Sequence, residues 1–172
     1  MNTDVQVQVF AQFINGEWVP GTSGEMIDVI NPATSEVVAK VAKGTVEDVE
    51  KAVSNAREVF KSGVWSKKSQ AERAKIMLQF AGKIRQHAQE LIYLEGISTG
   101  ATLRKLGGAD IGQMVLSLHQ TANMSLKYNF VETLPVIEAY GANRSQLVRE
   151  PLGVVAAITP FNFPLVLAMW KI

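Results

Sequence analysis

Apolar residues along this chain follow two different periods, and the switch between them marks out its elements. Between residues 10 and 40 the pattern is short and broken by turn residues. Phe13-Ile14 and Trp18-Val19 flank Asn15-Gly16, a two-residue hairpin signal in which both turn positions tolerate positive φ. Gly21-Thr22-Ser23-Gly24 reads as a loop, and Asn31-Pro32-Ala33-Thr34 as a turn between strands at 26–30 and 36–41.

From residue 45 the period lengthens to that of a helix. Thr45-Val46-Glu47-Asp48 has the form of a capping box with Asp in place of the usual Glu or Gln. It opens a run that sets Val49, Ala52, Val53, Ala56, Val59 and Phe60 on one face. Ser69-Gln70-Ala71-Glu72 is a full capping box, followed by a stripe of Ile76, Met77, Phe80, Ala81 and Ile84. A third helix is predicted over 87–98, ending near Gly100. A fourth is predicted over 104–127, softened by Gly107-Gly108, with Ile111, Met114, Val115, Leu118 and Ala122 facing the core.

Beyond Pro135 the pattern changes again. Residues 136–140 and 145–149, joined by Gly141-Ala142-Asn143, read as a β-hairpin whose alternating second strand keeps one polar face. Gly153-Val154-Val155-Ala156-Ala157-Ile158 is unbroken and apolar, the composition of a strand buried on both faces of a parallel sheet. Pro151 separates these two strands. Pro164 suits the first turn of the apolar helix that follows.

Composition narrows the function classes. With 47% hydrophobic and 19% charged residues, the 172-residue chain has the make-up of a globular domain with a real core. Its 17 basic and 16 acidic side chains lack the clustered positive excess that phosphate backbones or anionic membranes select, so neither nucleic acid nor membrane is an expected partner. No apolar run reaches the roughly 18 residues of a membrane-spanning helix. Absence of cysteine excludes disulfides, Cys-ligated metal and a thiol nucleophile within these residues. His87 and His119 stand far apart, which argues against a zinc site. Met1-Asn2-Thr3-Asp4 lacks the pattern of a signal peptide, and a cytoplasmic location is the expectation. Neither GxGxxG nor GxxxxGK[ST] occurs.

The chemistry concentrates near the end of the sequence. In Thr159-Pro160-Phe161-Asn162-Phe163-Pro164 an asparagine occupies a sharp turn between the apolar run and the last helix. That is the mouth of a strand, where open α/β sheets bind ligands. A side-chain amide there can donate to an oxygen that turns negative as a carbonyl is attacked. From the turn alone, supporting the turn or capping the helix is the simpler role for Asn162.

The string Arg149-Glu150-Pro151-Leu152-Gly153-Val154-Val155, followed by Thr159 to Pro164 and by Trp170-Lys171, resembles the N-terminal part of NAD(P)-dependent aldehyde dehydrogenases. Phe13-Ile14-Asn15-Gly16-Glu17-Trp18, Asn31-Pro32-Ala33-Thr34-Ser35-Glu36-Val37 and Ala71-Glu72-Arg73 are similar to upstream parts of that family. The resemblance implies an α/β fold, incomplete here, with three parts. Residues 1–135 would be the N-terminal part of the cofactor-binding domain, strands then helices. Residues 136–150 would be a β-hairpin of the oligomerisation type, and residues 151–172 the first strand and helix of a Rossmann-like core.

The resemblance also implies roles. Asn162 would hold the oxyanion formed when a cysteine attacks the aldehyde, with Lys171 behind the site in a polar network. Thr159, Pro160 and Phe161 would line NAD or NADP near its nicotinamide end, and Phe163, Leu167 and Trp170 would wall an aldehyde tunnel. Phe161 stands where many relatives carry Trp, and Ser98-Thr99-Gly100-Ala101-Thr102 departs from the family's Asp-x-Gly-Lys-Pro. The family's cysteine, general-base glutamate and ribose-binding lysine fall beyond the segment matching Ile172. The 172 residues alone are therefore expected to be inactive, and in full-length form the protein is expected to be a homo-oligomer. A different class of reading is a non-catalytic interaction module, the hairpin pairing with an intact relative or a second polypeptide.

Overall fold

A computed structural model describes residues 7–136, 141 and 143–172. The N-terminal strands are β1 (Gln8–Phe10), β2 (Gln12–Ile14), β3 (Glu17–Val19), β4 (Met26–Ile30) and β5 (Val37–Ala42). β2 and β3 form the predicted hairpin, with Asn15 at φ 56° and Gly16 at φ 79°, the left-handed pair that a two-residue turn requires. β5 lies between β1, which it pairs in parallel, and β4, which it pairs antiparallel through the Asn31–Thr34 turn.

Both capping boxes form. Thr45 and Asp48 exchange bonds at the start of α1 (Val46–Ser62), and Ser69 and Glu72 do so at the start of α2 (Gln70–Gln86). Asp48 does more than cap. Buried, it also accepts from Gln12 Nε2 at 3.1 Å and from the backbone N–H and hydroxyl of Thr22, so one carboxylate ties β2, the loop after β3 and α1 together. α3 (Ala88–Thr99) ends at Gly100, whose φ of 70° is the left-handed stop expected there.

The predicted fourth helix is interrupted. It consists of α4 (Leu103–Lys105), a π turn (Leu106–Asp110) and α5 (Ile111–Ser125). Gly107 and Gly108 fall inside the widened turn, where no Cβ crowds the extra residue. Ile111, Met114, Val115, Leu118 and Ala122 are all buried, as their spacing predicts. Ile111, Met114, Val115 and Leu118 form the core with Ala81 and Ile84 of α2, and Val166 of α6 (Pro164–Met169) closes it.

On the α1 stripe Val49, Val53, Val59 and Phe60 are exposed, while Ala52 and Ala56 are half-buried. The first strand predicted for the hairpin, 136–140, falls almost wholly outside the described residues. β7 (Gln146–Val148) pairs with β6 (Val131–Thr133), upstream of Pro135, while residues 137–140 and 142 lie outside the described residues. Arg149 fixes that register by donating to Asn129 O and Glu132 Oε1. One expectation requires correction: residues 153–158 form no strand, and Ile158 is 88% exposed. Strand structure is made by ladder partners, and among the described residues none lies alongside this run.

Candidate functional site

Pro164 occupies the first turn of α6, so its missing N–H costs no helical bond, and Phe163 is the capping residue with extended φ of −144°. Phe163 makes no side-chain cap bond. The turn carrying Asn162 is thus held by packing and by the backbone bond from Leu167 N to Phe163 O at 3.0 Å.

Asn162, Phe163, Leu167 and Trp170 all line one cavity of about 920 Å³. Its opposite wall is the π turn (Gly108 to Asp110) with Gly112, Gln113 and Leu116 of α5. The lining is mostly apolar, with Asn162 among its few polar side chains, a composition suited to a small organic ligand oriented by one or two hydrogen bonds. Trp170 is fixed by its indole N–H, which donates to Ser117 Oγ.

Asn162 also borders a second cavity of about 400 Å³, shared with Phe161, Lys105, Thr99 and Pro32. Phe161 is 89% exposed, a flat aromatic face beside the asparagine. Thr159 and Pro160 line neither cavity, although they precede Phe161 directly. Lys171 is exposed and opens onto a different pocket behind Trp170, with Gln120 and Thr121. The turn therefore brings Phe161, Asn162 and Phe163 together with Leu167 and Trp170, and leaves Lys171 outside.

Beneath the turn lies an ionic group that sequence reading missed. Lys105 Nζ donates to Asp110 Oδ2 at 2.6 Å, and Asp110 is almost wholly buried. The π turn makes this pair: Ile111 N bonds Leu106 O, so residues five apart are stacked where α-helical spacing would separate them. Glu95 of α3 is buried beside them with Oε1 unpartnered. Burial pushes its carboxyl above the ordinary 4.5, helped by Asp110 and opposed by Lys105. Little signal for it exists in the sequence, because Glu95, Lys105 and Asp110 are spread through a stretch that also holds Ser98, Thr99, Thr102 and Arg104.

Neither histidine joins this arrangement. His87 is exposed and paired with Glu90 at 3.1 Å, and His119 borders a separate groove on α5. Among the described residues no three side chains converge as metal ligands, and no helix is long and apolar enough to cross a membrane.

A family model described as the aldehyde dehydrogenase family matches residues 18–172. The chain belongs to the aldehyde dehydrogenase family. It is 36% identical over 168 residues to a mitochondrial benzaldehyde dehydrogenase of Antirrhinum majus, covering 98% of this chain and 31% of that protein. It is 37% identical over 161 residues to a betaine aldehyde dehydrogenase of Bacillus subtilis, covering 93% of this chain and 32% of that one. An indole-3-acetaldehyde dehydrogenase of P. syringae, solved with NAD+, superposes with a TM-score of 0.88 at 36% identity, over 98% of this chain and 33% of that chain. A betaine aldehyde dehydrogenase of Staphylococcus aureus in complex with NAD+ gives a TM-score of 0.85 at 37% identity, over 94% of this chain and 31% of that chain. The chain thus spans about a third of the length of these relatives, the N-terminal third of the aldehyde dehydrogenase fold.

Proposed function

We propose that these residues supply the oxyanion-stabilising side of a site that oxidises an aldehyde to a carboxylic acid with NAD(P)+. The observation that carries this reading is the position of Asn162 at the mouth of α6, on a cavity walled by Phe163, Leu167 and Trp170. An apolar wall excludes water from the bound aldehyde and strengthens any hydrogen bond made inside it. The Asn162 amide donates to the carbonyl oxygen as it gains charge and, being neutral, stays a donor throughout. No cysteine exists in the 172 residues, so the attacking thiolate comes from outside them, and by themselves they do not turn over aldehyde.

NAD(P)+, when bound, accepts the hydride. The described residues fit its nicotinamide end only. Exposed Phe161 offers a flat face next to Asn162, with Thr159 and Pro160 leading into it, while no glycine-rich phosphate cradle is present. Lys171, behind Trp170, acts on the site only through the polar side chains around it.

The test is aldehyde oxidation by the natural protein that carries this segment. Asn162→Ala lowers kcat by about 10²–10³ with the fold unchanged. Wild-type kcat in that variant would sink the assignment.

A second reading, pairing through the hairpin, is favoured by the β6–β7 sheet, whose outer edges carry no strand among the described residues. Assembly into a homo-oligomer by extending this sheet predicts co-purification with a second copy or an intact relative. A monodisperse monomer counts against it.

A further inference from the structure

We propose that Lys105 is a positioning residue for the Asn162 amide, acting through the ring of Phe163. The inference rests on the reading of Asn162 given above and extends it to a side chain outside the cavity that holds the aldehyde.

Lys105 Nζ sits 4.1 Å from the centroid of the Phe163 ring. An ammonium so placed is attracted by the negative face of the ring, most strongly where water is scarce. Its other contact fixes it from below, because Asp110 Oδ2 accepts from the same Nζ at 2.6 Å and is itself 1% exposed. The lysine is therefore a peg between a buried carboxylate and an aromatic face.

What that peg holds is the turn. Phe163 is the residue that leads into α6, next to Asn162, and its ring against Lys105 is the packing that anchors this turn from the side. Lys105 also borders the smaller cavity alongside Asn162 and Phe161. Removing the cation frees the ring and lets the amide swing away from the position of the developing oxyanion. Misplacement of a catalytic donor by about 1 Å costs up to about a hundredfold in rate.

The charge arrangement explains why a lysine and not an apolar residue serves here. Asp110 needs a cation, and Glu95 stands close by with an unpartnered oxygen. Lys105 is the basic group that the geometry places against both Asp110 and the ring.

The experiment is steady-state kinetics on the natural protein that carries these residues, with an aldehyde and NAD+. Lys105→Met keeps the stem and removes the charge; kcat falls about tenfold or more while KM changes little. Lys105→Arg, which retains a cation over the ring, restores most of the rate. In an Asn162→Ala background Lys105→Met has no further effect, whereas a merely structural loss would add in full. Wild-type kcat in Lys105→Met, or full additivity with Asn162→Ala, overturns the inference while leaving the role of Asn162 standing. Wild-type kcat in Asn162→Ala itself overturns both. Should Lys105→Met fail to fold because Asp110 is left unpaired, the Lys105→Met/Asp110→Asn pair removes the cation without stranding a buried charge, and the same outcomes apply.

Discussion

The indole N–H of Trp170 donates to the hydroxyl of Ser117 at 3.1 Å, joining the end of α6 to the middle of α5 across 53 residues of sequence. Trp170 thereby forms one wall of the cavity that Asn162 faces, and the bond sets which side of the indole lines it. Trp170→Phe keeps an aromatic wall and removes the donor, and Ser117→Ala removes the acceptor. Each is expected to lower stability by about 1 kcal/mol, and the double variant by no more than one of them. Denaturant unfolding of the three variants measures the coupling; full additivity would mean that the bond does not hold α6.

Two helix-ending glycines separate backbone strain from steric clash. Gly100 and Gly63 both adopt left-handed φ, 70° and 73°. A Cβ at Gly100 would lie 2.7 Å from Pro32 Cγ, in a rigid ring, whereas at Gly63 it would meet the flexible Lys67 side chain. Gly63→Ala is expected to cost about 1–2 kcal/mol, the left-handed penalty alone. Gly100→Ala costs more, because Pro32 and the turn leading into β5 must move as well. Equal losses in thermal unfolding would show that Pro32 yields freely.

The elements that were legible in the sequence are those written locally. Thr45 with Asp48, Ser69 with Glu72, Asn15-Gly16 and Pro164 each specify a cap or turn from a few adjacent residues, and each forms as read. What was not legible depends on remote neighbours. The apolar run 153–158 has the composition of a buried strand, yet no described strand lies beside it. The partner of β7 is β6 because Leu134 N bonds Ser145 O and Arg149 N bonds Phe130 O, a pairing that no turn motif announces. At the candidate site, the asparagine turn stood out through its flanking prolines and aromatic residues. Lys105, Asp110 and Glu95 did not, because the π turn brings together residues that an α-helical reading places on different faces.

Asp48 gives the N-terminal unit a defined response to acid. The Thr22 hydroxyl, then the Thr45 backbone N–H, hold its carboxyl well below the ordinary 3.8, against the opposing effect of burial. A group whose native value is depressed stabilises the fold above its unfolded value, and that contribution is lost as pH falls through the native one. Asp48→Asn is therefore expected to melt below wild type at pH 7, with the gap narrowing once pH drops under 3.8. A constant gap across that range would mean that shape, not charge, is what Asn fails to supply.

Glu95 has the opposite sign. Its carboxyl is raised above 4.5 by burial and by Asp110, so the protonated form fits the fold and the ionised form opposes it. The stability this group allows is fully present below 4.5 and is lost as pH rises through the raised native value. Glu95→Gln keeps the shape and removes the charge. The variant is expected to melt above wild type at pH 7 and to match it below 4.5, read from melting curves over that range. Because Lys105, paired with Asp110, also draws the Glu95 carboxyl toward its ionised form, Lys105→Met should enlarge the benefit of Glu95→Gln at neutral pH, as the attraction that partly offsets the penalty is then gone. If Glu95→Gln melts below wild type at pH 7, the ionised carboxylate is supporting the fold, and the three groups act as one ion network rather than as a salt bridge with a buried acid beside it.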